Sequence, residues 1–208
     1  MKFKPLKEKP KKKTGQNTWE DHYSRLAKKD NYPARSVYKL QEIQRKFTVI
    51  KKNDRVLDLG CSPGSWLLYA AELAGSGGLV CGIDLKPVTA HLPSQAKAVE
   101  GDILEPNDHC RKILDEQFQV VLSDMAPSTT GMKDVDAARS YELCRMALSV
   151  AEKCLAKGGV FVCKIFQGED FSQFIDHVRS VFHSHKVFKP ESCRKQSKEI
   201  YIIGLDKK

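Results

Sequence analysis

The chain has 208 residues, 41% of them hydrophobic and 8% aromatic, and its 35 Lys and Arg against 26 Asp and Glu give a formal charge of +9. That length suits one domain with a substantial core, and the composition excludes wholesale disorder. No apolar run approaches the ~18 residues that span a bilayer, and the lysine-rich start lacks the apolar stretch of a secretory signal.

Residues 1–18, with Pro5, Pro10, Gly15 and seven lysines, read as a basic, mobile arm ahead of a single folded domain over 19–208. Residues 1–52 carry 16 Lys and Arg against 5 Asp and Glu, a net of +11, whereas 53–208 carry 19 against 21, a net of −2. A basic first quarter on a near-neutral body points to phosphate or to an acidic membrane surface. Lys2–Lys13 shows no helical alternation of apolar and basic residues, which favours nucleic acid over a membrane-lying helix. Residues 19–48 read as helical, with Tyr38, Leu40, Ile43 and Phe47 at roughly helical spacing. Strands and helices then alternate: strand Arg55–Leu59, helix Ser65–Ala74, strand Leu79–Asp84, a weak strand Lys97–Glu100 and strand Gln119–Asp124. A helix near Asp136–Ala156, ended by Gly158-Gly159, precedes strand Val160–Phe166 and helix Asp170–Phe182. His185–Phe188 and Glu199–Leu205 finish the chain as two strands with no helix between them. Strands separated by helices imply a mostly parallel sheet covered on both faces, and the helix-free last pair an antiparallel finish. The seven cysteines are an odd number without a C-x-x-C pair, which fits free thiols in a reducing cytoplasm.

Open α/β sheets bind ligands at the carboxyl ends of their strands. Val56-Leu57-Asp58-Leu59-Gly60-Cys61-Ser62-Pro63-Gly64-Ser65-Trp66 is a strand, a glycine-bearing turn and a helix start. Gly60 and Gly64 leave the backbone open to close approach. A dinucleotide fingerprint needs G-x-G-x-x-G, but Ser62 and Ser65 stand at its second and third glycines and Pro63 removes an amide. A nicotinamide-dependent oxidoreductase is therefore disfavoured. Asp84, at the end of the second strand, is placed to accept two ribose hydroxyls, and Asp102, after the third, an adenine amino group. The structural alternative for this set is a glycine turn with two solvated aspartates. The ordered set resembles that of S-adenosylmethionine-dependent methyltransferases. It implies a Rossmann-like, seven-stranded, mostly parallel sheet with strand seven antiparallel between five and six, and Asp58, Gly60, Pro63, Gly64, Trp66, Asp84, Asp102 and Asp124 as cofactor-binding residues. For Trp66, a core aromatic or a stacking surface serves equally.

Lys164 interrupts the apolar run Val160–Phe166, where an ammonium is costly to bury unless paired. Asp124 ends the run Val120–Leu122 and Glu199 opens Ile200–Ile203. With strand seven antiparallel to strand five, Asp124, Lys164 and Glu199 fall side by side at one sheet edge; a structural ion pair at a strand end is the alternative. Lys39 is placed by a second likeness. Tyr32-Pro33-Ala34-Arg35-Ser36-Val37-Tyr38-Lys39-Leu40-Gln41-Glu42-Ile43, the Asp58–Trp66 turn, Ser123-Asp124-Met125-Ala126-Pro127 and Val162-Cys163-Lys164-Ile165-Phe166-Gln167-Gly168 resemble segments of the FtsJ/RrmJ-type RNA ribose 2′-O-methyltransferases. Lys189-Pro190-x-Ser192 and Ser197-x-Glu199-Ile200-Tyr201 complete the match, from about Trp19 to Leu205. It implies Lys39, Asp124, Lys164 and Glu199 as a catalytic tetrad. It also implies S-adenosylmethionine as cofactor; RNA would lie across the strand-end cleft, held by phosphate contacts from the basic first segment, including Lys28, Lys29 and Arg35. Without an added RNA-binding domain the chain is most similar to the bacterial enzymes that methylate a uridine of 23S ribosomal RNA. A cytoplasmic monomer acting on the 50S subunit is the corresponding expectation. A transfer-RNA or cap methyltransferase of the same family, or a non-catalytic RNA-binding assembly factor, are the alternatives. Two positions depart from the pattern: Ser128 follows Ala126-Pro127 where the ribosomal enzymes have Asn, and Cys193 stands where they have a small Ser.

Overall fold

The computed structural model describes residues 18–194 and 196–208; the basic arm expected over 1–18 lies almost entirely outside them. Two short helices come first, α1 (Thr18–Lys29) and α2 (Val37–Phe47). The sequence reading of one continuous helical segment is corrected here. Asn31 takes a left-handed backbone conformation (φ 61°) and Pro33 follows, so the helix stops and restarts.

Strands β1 (Arg55–Leu59), β2 (Leu79–Asp84), β3 (Ala96–Glu100), β4 (Phe118–Ser123), β5 (Leu155–Phe166), β6 (Phe182–Phe188) and β7 (Glu199–Lys207) form one sheet in the order β3-β2-β1-β4-β5-β7-β6. The first five are parallel and β7 is antiparallel to both of its neighbours, as the resemblance implied. The connecting helices are α3 (Ser65–Ala74), α4 (Asp108–Leu114), α5 (Lys133–Cys154) and α6 (Phe171–Val181). Helix α4 has no counterpart in the sequence reading. It has only seven residues, and its start is fixed by a local cap in which Asn107 accepts the N–H of Cys110. Helix α5 ends at Cys154 rather than at Gly158-Gly159: Leu155 already pairs with Phe118, and the glycines lie where the β4–β5 register shifts.

Alternation along the strands divides the core. Leu57, Leu59, Cys81, Val121, Phe161 and Cys163 pack under α4, α5 and α6. Val56, Val80, Val120, Leu122, Val162, Tyr201 and Ile203 pack under α2 and α3, against Leu40, Ile43, Leu67 and Ala70. All seven cysteines are buried and free. Among the described residues no helix is long and apolar enough to cross a membrane.

Candidate active site

The glycine turn leaves β1 at Gly60 (φ 77°), whose N–H donates to the Ile83 carbonyl of β2 at 2.8 Å. A side chain there would collide with Met125, and one at Gly64 (φ 113°) would come within 2.8 Å of Val88. Only glycine lets the turn close against the segments that follow β4 and β2. Pro63 sits inside this turn. Asp84 faces it across the end of β2, its two oxygens accepting the N–H groups of Ser62 (2.9 Å) and Lys86 (2.8 Å). Each carboxylate oxygen keeps a second lone pair for a ligand hydroxyl. Asp102, beyond β3, accepts the N–H of Leu104 at 2.8 Å.

Asp58 is the anomaly of this region. It is 0% exposed, on the α2–α3 side of β1, and neither of its oxygens has a hydrogen-bond partner among the described residues. Burial, reinforced by the charges of Asp124 and Asp84, pushes its carboxyl well above the usual range. A buried acceptor without a donor costs free energy and calls for an explanation. A cationic, hydroxyl-rich ligand seated on the glycine turn supplies one, so these residues fit S-adenosylmethionine. One expected result follows from the sign of the shift. Below the ordinary Asp range the carboxyl is protonated folded and unfolded alike; as pH rises, the unfolded chain ionises it while the folded chain does not, and stability falls. The ligand-free Asp58→Asn variant should escape this decline, gaining on the parent roughly 1.4 kcal/mol per pH unit within that window. Melting curves at several pH values check it, and parallel curves for the two proteins would contradict it.

The four tetrad residues meet on the same face. Ser123 pairs with Cys163, which brings Asp124 level with Lys164; Lys164 pairs with Tyr201, and Phe166 with Glu199. Lys164 is 6% exposed; its Nζ lies 3.0 Å from Asp124 Oδ1 and also donates to the Asp124 carbonyl. Lys39 reaches down from α2, its Nζ 2.5 Å from Glu199 Oε1 and 4.0 Å from Asp124 Oδ1. Two cations and two carboxylates thus neutralise one another, which makes their burial tolerable. For Asp124, burial raises the carboxyl pKa, but Lys164, Lys39 and the Tyr201 hydrogen bond outweigh it and hold the group below its usual value. For Lys39, burial lowers the pKa, but Asp124 and Glu199 outweigh it and keep the amine charged.

Sequence reading assigned no role to Tyr201, yet it lies at the centre of this cluster. Its hydroxyl donates to Asp124 Oδ1 at 2.5 Å and lies 3.3 Å from Glu199 Oε1. The available signal was its spacing, two residues after Glu199 on a strand and so on the same face. Trp66 is buried, its indole N–H donating to the Ser36 carbonyl (2.8 Å) and its ring 5.9 Å from that of Tyr201. It braces α2 against the sheet. Arg35 donates to the Ser192 carbonyl at 2.8 Å and lies over the Tyr23 ring, whereas Lys28 and Lys29 are exposed in the last turn of α1.

A cleft of 790 Å³ runs between α1, α2 and the end of β6. It is lined by the cations Arg45, Lys46 and Lys189, by the carboxylates Asp30, Glu42 and Glu191, and by the rings of Tyr23, Tyr38 and Phe188. Phe188 pairs with Tyr201 in the sheet, so the cleft meets the row that holds Lys164.

Comparison with known proteins agrees with this geometry. The model of a family described as FtsJ-like methyltransferase matches residues 32–207. A protein of Desulforapulum autotrophicum named ribosomal RNA large subunit methyltransferase E is 59% identical over 98% of this chain and 100% of its own length. One of the same name from Desulfosudis oleivorans is 56% identical over 90% of this chain and 91% of its own. Among solved structures, one described as a ribosomal RNA methyltransferase from Plasmodium falciparum superposes with a TM-score of 0.71 at 27% identity, covering 85% of this chain and 98% of its own.

Proposed function

The chain belongs to the FtsJ-like methyltransferase family, and from that premise we propose that it methylates a ribose 2′-hydroxyl of large-subunit ribosomal RNA, at a uridine of 23S RNA, with S-adenosylmethionine as donor. The observation that carries this reading is the buried Lys39–Asp124–Lys164–Glu199 cluster at the strand ends, on the same sheet face as the unpartnered Asp58.

When bound, S-adenosylmethionine supplies an activated methyl group on a sulfonium. Asp58, Gly60, Gly64, Asp84 and Asp102 would hold it. The residues around it then have two tasks: to fix the hydroxyl in line, and to take up its proton. Lys164 is suited to the first as an ammonium and to the second as the neutral amine that remains once it has released a proton to solvent before the ribose binds. Asp124 fixes its amine through the carboxylate and the carbonyl, which leaves one position on the nitrogen for the ribose oxygen. Lys39, held charged, orients the substrate and Glu199 orients Lys39. The protein works as a monomer in the cytoplasm, on RNA within the 50S subunit.

The RNA on either side of the target lies along the α1–α2–β6 cleft, where Arg45, Lys46 and Lys189, with Lys28 and Lys29 beyond them, contact phosphates between the carboxylates of Asp30, Glu42 and Glu191; such contacts position without specifying sequence. Arg45→Ala combined with Lys46→Ala should lower RNA affinity and reduce the log–log salt slope by about one unit per lost contact, with cofactor affinity unchanged. Filter binding across a salt series checks this; an unchanged slope would remove the cleft from the RNA path. The methyl donor is tested by thermal unfolding. S-adenosylmethionine at about 100 times its Kd should stabilise the protein by roughly 2.7 kcal/mol, and NAD should not. Protection by NAD alone would overturn the reading.

A further inference from the structure

We propose that Cys193 is a positioning residue for the reaction, donating its thiol proton to Glu199 and so fixing the Lys39–Glu199 pair that faces the ribose. This rests on the methyl-transfer reading above and adds to it a residue outside the tetrad.

The loop between β6 and β7 is tied to α2, the helix that carries Lys39. The carboxylate of Glu42 on α2 accepts the N–H groups of Glu191 (2.6 Å) and Ser192 (2.8 Å). Arg35, just before α2, donates to the Ser192 carbonyl. A turn closed by the Cys193 N–H on the Pro190 carbonyl (3.1 Å) then brings Cys193 inward, where it is 4% exposed. Its Sγ lies 3.1 Å from Glu199 Oε1, the oxygen that also receives the Lys39 ammonium.

The direction of the bond follows from the partners. An ionised carboxylate only accepts, and burial beside Glu199 pushes the thiol pKa up, so the proton stays on sulfur. Tyr201 directs its one proton at Asp124, where its contact is shorter. Lys39 and Cys193 therefore hold Glu199 Oε1 from two elements that Glu42 and Arg35 lock together. Glu199 opens its strand, and its own N–H bonds to Ser197 Oγ within the loop, so the sheet confines it less than a mid-strand residue. Without the thiol, its carboxylate is free to turn and to draw Lys39 with it.

Three variants separate donor from volume: Cys193→Val keeps bulk without a donor, Cys193→Ala removes both, and Cys193→Ser keeps a donor. In single-turnover methyl transfer, the Val and Ala variants should lose about tenfold in kcat, with KM for RNA and affinity for S-adenosylmethionine within about twofold; that loss corresponds to roughly 1.4 kcal/mol, the order of one hydrogen bond to a charged group. Cys193→Ser should restore most of the rate. A Val variant as fast as wild type, or a Ser variant as slow as Ala, overturns the proposal. Infrared spectroscopy reads the bond directly: the S–H stretch that disappears in Cys193→Ser should be shifted down by donation to a carboxylate and should move back up in Glu199→Gln. A band unmoved in Glu199→Gln also overturns it. A wild-type protein that transfers no methyl would overturn both this proposal and the reading beneath it, and the S–H band distinguishes that failure from loss of the hydrogen bond alone.

Discussion

Replacing Lys164 with Ala should reduce methyl transfer by about 10²- to 10⁴-fold, the range that a positioned acid–base group contributes, while leaving affinity for S-adenosylmethionine within about twofold. The separation follows from geometry. Lys164 contacts Asp124 through its amine, at the ends of β4 and β5, whereas the glycine turn, Asp58 and Asp84 lie on β1 and β2. Removing the amine also costs stability, because Asp124 is buried and loses its nearest cation. Lys39 at 4.0 Å and the Tyr201 hydroxyl still compensate it in part. A loss of about 1–3 kcal/mol is expected, within the range for breaking a buried polar network. Melting and cofactor titration of the same preparation therefore establish that the variant is folded before its turnover is read. Turnover within threefold of wild type would remove Lys164 from the reaction.

The second large effect is opposite in kind. Asp84→Ala should weaken S-adenosylmethionine binding by roughly 30- to 10³-fold, or about 2–4 kcal/mol, the loss of two hydrogen bonds to a charged acceptor less their replacement by water. Asp84 also accepts the N–H of Ser62, so its removal loosens the turn itself. At saturating cofactor the rate should return towards wild type, because Asp84 does not contact Asp124, Lys164 or the other tetrad side chains. Calorimetry gives the affinity and single-turnover kinetics the rate. An unchanged Kd would move the cofactor off this strand end.

The parts legible in the sequence were those with a local signature. Apolar runs bounded by glycine or charge located β1, β2, β4 and β7 to within two residues, and the second half of β5, because burial on both sheet faces demands continuous hydrophobic strands. Lys164 and Asp124 stood out because ionisable residues inside or closing such runs are rare. The sheet order, by contrast, came from resemblance, since no local signal says which strands lie beside β5. The two-helix start was missed because the Tyr38–Phe47 pattern is helical and the break depends on one left-handed residue, Asn31. Tyr201 was hidden for another reason. A tyrosine in a β-run reads as core, and here it is core, fully buried, while its hydroxyl works at the polar end of the same face. Cys193 gave a signal of identity but none of place: its contact with Glu199 depends on the Glu42 clamp, which links residues 149 and 150 positions apart.

Labelled S-adenosylmethionine, 50S subunits from cells lacking this protein, and nucleoside analysis of the recovered RNA test the central claim most directly. The expected product is 2′-O-methyluridine at a single position of 23S RNA, formed by the wild-type chain and absent with Lys164→Ala. Label on a base rather than a ribose, or equal labelling by the two proteins, would contradict it.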